Sequence, residues 1–201
     1  MSQDRVVEKE FFRSLGVSTA NFLPLDSSKD VEKIEESIGY PCILKTRRFG
    51  YDGKGQAKAL NLKEAQAAFE QLGSKDIIAE QCIDFQRELS IVTVAKKGDI
   101  RFYPVVENFH EEGILRKTIA PAPLCSVDMT EAAQDIARKT AQALNYNGVF
   151  AIELFQTSTG FLVNEMAPRV HNSGHWTMDG CKVSQFENHV RAVMGLSLIH
   201  I

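Results

Sequence analysis

Apolar residues recur at helical spacing along much of the chain. Val7, Phe11 and Leu15 are four positions apart, so a helix is predicted over residues 4–15, with this stripe in the core. Capping residues and similar spacing predict further helices from Asp26 to Gly39 (with Val31, Ile34 and Ile38 facing inward), from Asn61 to about Leu72, from Asp128 to about Asn145 and from about Ser184 to Met194.

Between these helices the pattern changes to apolar runs of strand length. Turn sequences at residues 96–99 and 157–160 separate two such pairs of runs and predict hairpins. The predicted strands are residues 89–95 with 100–106, 149–156 with 161–166, and single strands at 41–44, 77–80 and 113–120. Helices mixed with mostly antiparallel strands indicate an α+β fold rather than a doubly wound parallel sheet.

The composition is that of an ordinary globular protein. Of the 201 residues, 44% are hydrophobic and 24% are charged, and the net charge is −3. This charge argues against a dedicated nucleic-acid-binding protein, which usually carries a basic excess. The sequence has no run of about 18 apolar residues to predict a membrane span, and its first ten residues are too charged for a signal peptide. We therefore expect a cytoplasmic protein.

The four cysteines are far apart in the sequence. Cys42, Cys82, Cys125 and Cys181 form no closely spaced pair, which argues against a metal site built from thiolates. We expect them to remain reduced and to act as small buried apolar residues.

A glycine-rich basic segment follows the predicted strand at 41–44. Its glycines at 50, 53 and 55 allow tight turns that bring backbone N–H groups close to an anion. Only Asp52 is acidic between positions 45 and 58, whereas the basic residues are Lys45, Arg47, Arg48, Lys54 and Lys58. This excess favours a phosphate-binding loop, although the segment matches neither the P-loop nor the Rossmann pattern. A solvated turn with incidental lysines is the alternative.

Two glutamates lie in the second predicted hairpin. Glu153 has apolar neighbours on its own face, Ala151 and Phe155, so a carboxylate buried there needs a cation nearby. If the loop length is odd, Glu153 and Glu165 face each other with Cβ atoms about 5 Å apart, and Mg²⁺ bridging to phosphates would relieve their repulsion. An even loop instead opposes Glu153 to Asn164 and turns Glu165 away. A buried glutamate paired with lysine or arginine is the alternative.

A loop rich in hydrogen-bond donors follows this hairpin. Arg169, His171, Asn172, Ser173 and His175 lie within seven residues, and such a cluster suits the oxygens of phosphate or carbonate. The two histidines are four positions apart, as metal ligands on a helix would be, but the Pro and Gly content argues against a helix. A purely structural polar loop is the alternative.

Several strings, in this order, resemble the ATP-grasp family and cover nearly the whole chain. They are Gln3-Asp4-Arg5, residues 45–56 (KTRRFGYDGKGQ), 80–83 (EQCI), Tyr103-Pro104 with 107–110 (ENFH), and 164–176 (NEMAPRVHNSGHW). Phe49 stands where many members have glycine, which is expected to alter loop packing more than phosphate contact. The resemblance implies an ATP-grasp fold whose two α+β lobes, with mainly antiparallel sheets, clamp ATP. Its implied parts are an N-terminal helix and linker (1–27), a small lobe with a flexible phosphate loop (28–84) and a large lobe with the magnesium and substrate sites (85–201).

The resemblance also implies roles for individual residues. Those implied to bind ATP are Lys45, Gly50, Tyr51, Asp52, Gly53, Lys54, Gly55, Gln56, Glu80, Gln81, Cys82, Ile83, Glu88, His110, Asn164 and Glu165. Among these, residues 80–83 would hold adenine and Glu88 the ribose hydroxyls. The implied Mg²⁺ ligands are Glu153 and Glu165. Arg169 and His171 would be catalytic and would hold bicarbonate and the second substrate, together with Asn172, Ser173, Tyr51 and Asp52.

Within the family, the strings resemble enzymes that carboxylate 5-aminoimidazole ribonucleotide in purine biosynthesis. The implied activity is that of an ADP-forming carbon–nitrogen ligase, in which bicarbonate attacks ATP and carboxyphosphate then delivers its carboxyl carbon to the substrate amine. Another ATP-grasp carboxylase or ligase, or a truncated nucleotide-binding module without turnover, is the alternative. Full-length members carry flanking domains and are expected to be homodimers, so this chain is expected to be a fragment that still binds ATP. No nucleic-acid or membrane partner is implied.

Overall fold

Two sheets form the framework of the protein, and the computed structural model describes residues 2–50 and 55–198. The first sheet is antiparallel, with the strand order β1-β4-β2-β3. Its strands are β1 (Phe22–Leu25), β2 (Cys42–Thr46), β3 (Gln56–Ala59) and β4 (Ile77–Gln81). The segment predicted as an N-terminal helix and linker therefore contributes β1 to this sheet.

The second sheet is larger and is also antiparallel. Its order is β10-β9-β5-β7-β8, and β6 pairs with β5. Its strands are β5 (Arg87–Lys96), β6 (Asp99–Phe102), β7 (Val106–Glu111), β8 (Ile114–Ile119), β9 (Gly148–Thr157) and β10 (Gly160–Ala167). Both predicted hairpins are present, and the α+β class is confirmed.

Helices cover these sheets. They are α1 (Arg5–Ser14), α2 (Ser28–Val31), α3 (Ile34–Ser37), α4 (Leu62–Gln71), α5 (Val127–Ala143), α6 (Thr177–Gly180) and α7 (Gln185–Val193), with a 3₁₀ turn at Asn172–Gly174. In the described chain, no helix combines the length and the apolar character needed to cross a bilayer.

Apolar cores lie on both faces of the second sheet. In β5, Leu89 and Ile91 belong to the core that includes α5, whereas Val92 and Val94 belong to the core on the α7 side. Side chains alternate between faces along a strand, so a strand covered on both faces is apolar almost throughout. A separate core, which includes Leu44, lies between the first sheet and helices α2 to α4.

The helix α1 departs from the predicted orientation. Asp4 caps it by accepting hydrogen bonds from the N–H groups of Val6 at 3.0 Å and Val7 at 3.4 Å. Val7 is exposed, and the buried face carries Glu8 and Lys9 beside Val6 and Phe12. The prediction that the Val7 stripe packs in the core is therefore wrong at Val7. The buried face packs against β10 and brings two charged side chains into the interior.

Three local predictions are corrected by the structure. The helix predicted from Asp26 to Gly39 is divided into α2 and α3, since the chain tightens where the Lys33 N–H donates to the Asp30 carbonyl. The strand predicted at 100–106 is divided into β6 and β7 around Pro104, which has no N–H for a strand ladder. The cap of α5 is Ser126 rather than Asp128, because its hydroxyl accepts from the Met129 N–H at 3.2 Å.

Candidate active site

A cleft of about 470 Å³ is walled by residues from both sheets and by the start of α1. Eleven of the residues predicted to carry function line it: Lys45, Gly50, Gln56, Glu88, His110, Glu153, Asn164, Glu165, Arg169, His171 and Asn172. These residues come from strands and loops far apart in the sequence, so the fold brings most of the predicted site together. The roles assigned to individual residues stay predictions.

The predicted phosphate loop connects β2 to β3, and several of its described residues lie at the cleft. Lys45, Gly50 and Gln56 line the cleft, and Gly55 pairs with β2 through its carbonyl, which accepts from the Thr46 N–H at 2.8 Å. Gly55 has φ +73°, and a Cβ there would lie 2.8 Å from the Thr46 hydroxyl, so the position requires glycine. The predicted residues Tyr51, Asp52, Gly53 and Lys54 lie outside the described residues.

The segment predicted to hold adenine lies at the end of β4. The Gln81 N–H donates to the Asn21 carbonyl at 2.8 Å, and the Cys82 N–H donates to the Pro41 carbonyl at 3.2 Å. Gln81, Cys82 and Ile83 are half-buried and do not belong to the described wall of the cleft. Their contact with adenine stays a prediction.

Glu153 and Glu165 lie opposite each other on β9 and β10. The loop joining these strands has two residues, Ser158 and Thr159, so an unbroken register would oppose Glu153 to Asn164. The register instead shifts between Val163 and Glu165, which leaves Asn164 as an extra bulged residue. The prediction that an even loop turns Glu165 away is therefore wrong, because the bulge restores the pairing of the two glutamates.

Asn164 is a third side chain that brings an oxygen atom to this carboxylate pair. Its amide donates to Glu153 at 3.5 Å, while its buried Oδ1 atom accepts no hydrogen bond from the described residues. Carboxylate and amide oxygens suit Mg²⁺, which commonly takes one or two carboxylates and completes its shell with phosphate and water. The described residues contain no cluster of three or more His, Cys, Asp and Glu side chains placed to hold a metal. The Glu153, Asn164 and Glu165 group therefore fits Mg²⁺ bound together with phosphate.

Arg5 pairs with one of these carboxylates, although no role was predicted for it from the sequence. Its Nη1 atom lies 2.6 Å from Glu165 Oε2. Burial raises the pKa of Glu165, but Arg5, together with the charges of Lys45 and His171, outweighs burial and holds this pKa below its usual value. The alternative left open above, a glutamate paired with arginine, is therefore present as well, because Glu165 both faces Glu153 and pairs with Arg5. The signal for Arg5 was its place in the Gln3-Asp4-Arg5 string.

A second cavity of about 350 Å³ adjoins the cleft and shares Arg5, Gly50, Glu165 and Arg169 with it. Glu8 lines this cavity, and its carboxyl accepts a hydrogen bond from the Met166 N–H at 3.1 Å. Burial and the nearby Glu165 charge raise the pKa of Glu8 to about 8. The sequence missed Glu8, because a charged residue inside an amphipathic helix is normally expected to face solvent.

His171 is held by contacts on three sides. Its Nε2 atom lies 3.2 Å from Glu153 Oε1, and its Nδ1 atom accepts from the Ser173 N–H at 3.3 Å. We therefore assign the proton of the neutral ring to Nε2, facing Glu153. The Gln185 side chain forms two hydrogen bonds to the backbone of His171. Its Oε1 accepts from the His171 N–H at 3.0 Å, and its Nε2 donates to the His171 carbonyl at 2.7 Å. Ser173 is thus buried behind His171 rather than on the cleft wall.

Lys45 belongs to a buried group of three charges. Its Nζ atom donates to Glu80 Oε2 at 2.9 Å, and Lys9 Nζ lies 3.4 Å from Glu80 Oε1. Burial raises the pKa of Glu80, but the charges of Lys45 and Lys9 outweigh burial and lower it to about 2. Glu80 is therefore an ionised carboxylate that lies behind Lys45. The resemblance had instead implied that Glu80 contacts adenine.

The far wall of the cleft combines one ion pair with apolar groups. His110 Nδ1 lies 2.6 Å from Glu88 Oε2, and this contact raises the pKa of His110 against the opposing effect of burial. The rings of Phe85 and Phe155 are stacked, with centroids 4.6 Å apart and planes 14° apart. A wall with stacked rings and a few polar groups is typical of sites for small molecules with an aromatic part.

The protein has two antiparallel sheets covered by helices, and the cleft between them is lined by cationic side chains, by the oxygen atoms of Glu153, Asn164 and Glu165, and by a donor-rich loop. This arrangement suits an anionic ligand bound together with a divalent cation. The profile of the ATP-grasp domain matches residues 10–186. This match covers most of the chain, so the chain belongs to the ATP-grasp family, and the resemblance stated above is confirmed.

Similar proteins share one described activity. The N5-carboxyaminoimidazole ribonucleotide synthase of Pseudomonas aeruginosa is 44% identical over 201 residues, covering 98% of this chain and 54% of that protein. The synthetase of that name from Thermus thermophilus has a TM-score of 0.93 at 46% identity, covering 99% of this chain and 54% of that one.

A third similar protein was solved with ligands. The synthase from Aspergillus clavatus, in complex with ADP and 5-aminoimidazole ribonucleotide, has a TM-score of 0.90 at 32% identity. It covers 98% of this chain and 52% of that one. The chain thus spans about half the length of the curated relatives it matches.

Proposed function

We propose that this chain carries the nucleotide and bicarbonate sites of an ATP-dependent ligase that carboxylates 5-aminoimidazole ribonucleotide to its N5-carboxyamino product. The observation that carries the proposal is the single cleft in which Lys45, the opposed Glu153 and Glu165, and the loop with Arg169 and His171 meet. The names and ligands of the relatives support the same reaction. ADP and phosphate would be the other products.

In this proposal the nucleotide lies along the cleft with its phosphates at Lys45 and the phosphate loop. The ammonium of Lys45 and the cation at Arg5 face the triphosphate, and phosphoryl transfer depends mainly on such positioning and charge neutralisation. Glu88 would accept hydrogen bonds from the ribose hydroxyls, with His110 holding its carboxylate in place. The base would lie toward Phe85 and residues 81–83.

Mg²⁺ would be held by Glu153, Glu165 and the Asn164 side-chain oxygen. When bound, it supplies charge neutralisation for the phosphate oxygens. Arg5 now pairs with Glu165, so we expect the guanidinium to turn toward the phosphates when that carboxylate takes the cation. The exchange keeps both Arg5 and Glu165 paired, which avoids an isolated buried charge.

The donor-rich loop would hold bicarbonate beside the terminal phosphate. Arg169 would supply charge-assisted hydrogen bonds. His171 would supply its Nε2–H, which faces Glu153 in this structure, from a ring held in place by Ser173 and Gln185. An oxygen of bicarbonate attacks the γ-phosphorus, and the bond from that phosphorus to the bridging oxygen of ADP breaks. The resulting carboxyphosphate passes its carboxyl carbon to the amine of the ribonucleotide, with release of phosphate and a proton.

The proposal is tested by binding and turnover on this chain. Calorimetry with Mg²⁺ and ATP is expected to show saturable binding that Glu165→Gln weakens, and the absence of binding at millimolar nucleotide would contradict the nucleotide site. An ADP-release assay is expected to respond to bicarbonate with 5-aminoimidazole ribonucleotide and not to D-alanine or biotin. Binding without any ADP release would instead support a nucleotide-binding module without turnover.

The proposal extends to features of the whole protein. We propose a homodimer located in the cytoplasm, with one lobe at residues 28–84, to which the segment 1–27 adds the strand β1, and a second lobe at residues 85–201. The family resemblance supports both the dimer and the location. The mass of the full-length protein in solution, measured by light scattering, tests the dimer.

A further inference from the structure

Lys9 is a buried lysine to which the proposed reaction assigns no role. It lies on the buried face of α1 and is 2% exposed. Its ammonium donates to the carbonyl of Asn164 at 3.2 Å and lies 3.4 Å from Glu80. Lys9 therefore joins β4 of the first sheet to the bulge that sets the carboxylate register in the second sheet.

Glu80 lies between two lysines that differ in their surroundings. Lys45 reaches the wall of the cleft, whereas Lys9 is enclosed on the side away from it. The two ammonium groups and one carboxylate leave a net positive charge on the group. If Lys9 were neutral, Glu80 and Lys45 would form a neutral pair, and the cleft would lose that positive charge.

Packing alone does not account for a charge at this position. A buried ion pair is often replaced by apolar side chains of similar volume with little change in stability or even with a gain. Methionine has about the length of the lysine stem and would fill the same space on α1. The charge of Lys9 therefore points to a role in the electrostatics of the cleft.

We propose that Lys9 is a positioning residue that acts through Glu80 to keep the positive charge of Lys45 available to the phosphates of the nucleotide. This inference rests on the nucleotide site proposed above. It predicts that the charge of Lys9 affects polyanionic ligands selectively, because a neutral nucleoside has no phosphates to respond to Lys45.

The test compares ATP with adenosine in Lys9→Met. The affinity for ATP is expected to fall about tenfold, which corresponds to one lost unit charge near the phosphates at intermediate dielectric. The affinity for adenosine is expected to change less than about twofold. Lys33→Met is the matched control, because it removes the same charge from an exposed side chain that pairs with Asp30 on the surface. This control is expected to leave both affinities unchanged.

Two further variants test the path through Glu80. Lys9→Arg retains the charge and is expected to restore most of the ATP affinity. In the double variant Lys9→Met with Glu80→Gln, Lys45 has no carboxylate to neutralise it, so the ratio of ATP to adenosine affinity should return close to that of the wild type. Glu80→Gln alone should raise this ratio about threefold, a result that does not depend on the folding of Lys9→Met.

The outcomes of these binding measurements distinguish an electrostatic role of Lys9 from a purely structural one. Equal losses of ATP and adenosine affinity in Lys9→Met would mean a purely structural lysine and would overturn the inference. A double variant as weak toward ATP as Lys9→Met would overturn the path through Glu80. A wild-type chain that binds neither ligand would overturn the proposed function itself, and the role of Lys9 with it.

Discussion

Glu153 and Glu165 face each other because Asn164 is an extra residue in β10. The two-residue loop of the hairpin would place them on opposite faces, and the bulge reverses that outcome. Bulges are frequent beside functional sites, where they redirect a side chain. Here the bulge also brings the amide oxygen of Asn164 next to the two carboxylates.

The oxygen of Asn164 should matter for magnesium rather than for folding. Asn164→Ala removes a buried acceptor that has no described donor, so the free energy of unfolding should change by less than about 1 kcal/mol. The Mg²⁺ concentration needed for half-maximal ATP binding should rise about tenfold. Titration of Mg²⁺ at fixed ATP measures this. Asn164→Asp retains an oxygen and is the matched control, and an equal effect of both variants would contradict a ligand role.

Because Gly174 has no side chain, the amide of Gln185 can pack against it and form its two hydrogen bonds to the His171 backbone. A Cβ at Gly174 would lie 2.5 Å from Gln185 Oε1 and 2.9 Å from Nε2, so Gly174→Ala should displace the amide. We expect a loss of about 1–3 kcal/mol in the free energy of unfolding, from the overlap and from two broken hydrogen bonds. Urea denaturation measures this loss.

The same pair offers an internal control. Combining Gly174→Ala with Gln185→Ala should cost less than the sum of the single variants, because the second substitution removes the overlap. Additive costs would show that Gly174 and Gln185 act independently.

Glu8 should make the protein less stable as the pH rises. Its pKa is about 8 in the folded protein and 4.5 in its ordinary state, so between these values the folded chain retains a proton that the unfolded chain has lost. The stabilisation from this raised pKa is complete below about pH 4.5 and is lost as the pH rises through about 8.

The variant Glu8→Gln isolates this contribution. Glutamine keeps an acceptor for the Met166 N–H and does not ionise in this range. Denaturation curves at about pH 5 and about pH 9 should show wild-type stability falling relative to Glu8→Gln. Parallel pH dependence of the two proteins would contradict the burial of an ionisable Glu8.

Asp4 combines a helix cap with an ion pair at the root of the phosphate loop. Its carboxylate caps α1 and accepts from Arg47 at 3.0 and 2.8 Å. Asp4→Asn keeps an acceptor for the cap but removes the charge, so we expect a loss of about 3 kcal/mol. Asp4→Ala should cost about 1 kcal/mol more.

Asp26 provides the control for this pair. It is an exposed carboxylate that lies 3.6 Å from the same Arg47, so Asp26→Asn should change the free energy of unfolding by less than about 1 kcal/mol. Thermal or urea denaturation of the three variants measures the difference. Similar costs at Asp4 and Asp26 would show that burial of the Asp4 pair contributes little.

Local patterns in the sequence were sufficient for most of the secondary structure. The turn at 96–99, the cap at Asn61 and the apolar run of β9 are local features of the sequence, and these elements were predicted where they lie. The cleft residues were also largely predicted, because their order along the chain resembles a family whose motifs are specific. Lys45, Glu153 and His171 are examples.

Pairing between distant segments could not be read from those patterns. The apolar stripe of α1 placed Val7 inside, yet the folded helix buries Glu8 and Lys9, whose partners lie on β4 and β10. The bulge at Asn164 likewise depends on how β10 meets β9 and α1. A buried charge is tolerated only where an opposite charge or a backbone group arrives to meet it, and such groups come together through packing of the whole chain rather than through local preference.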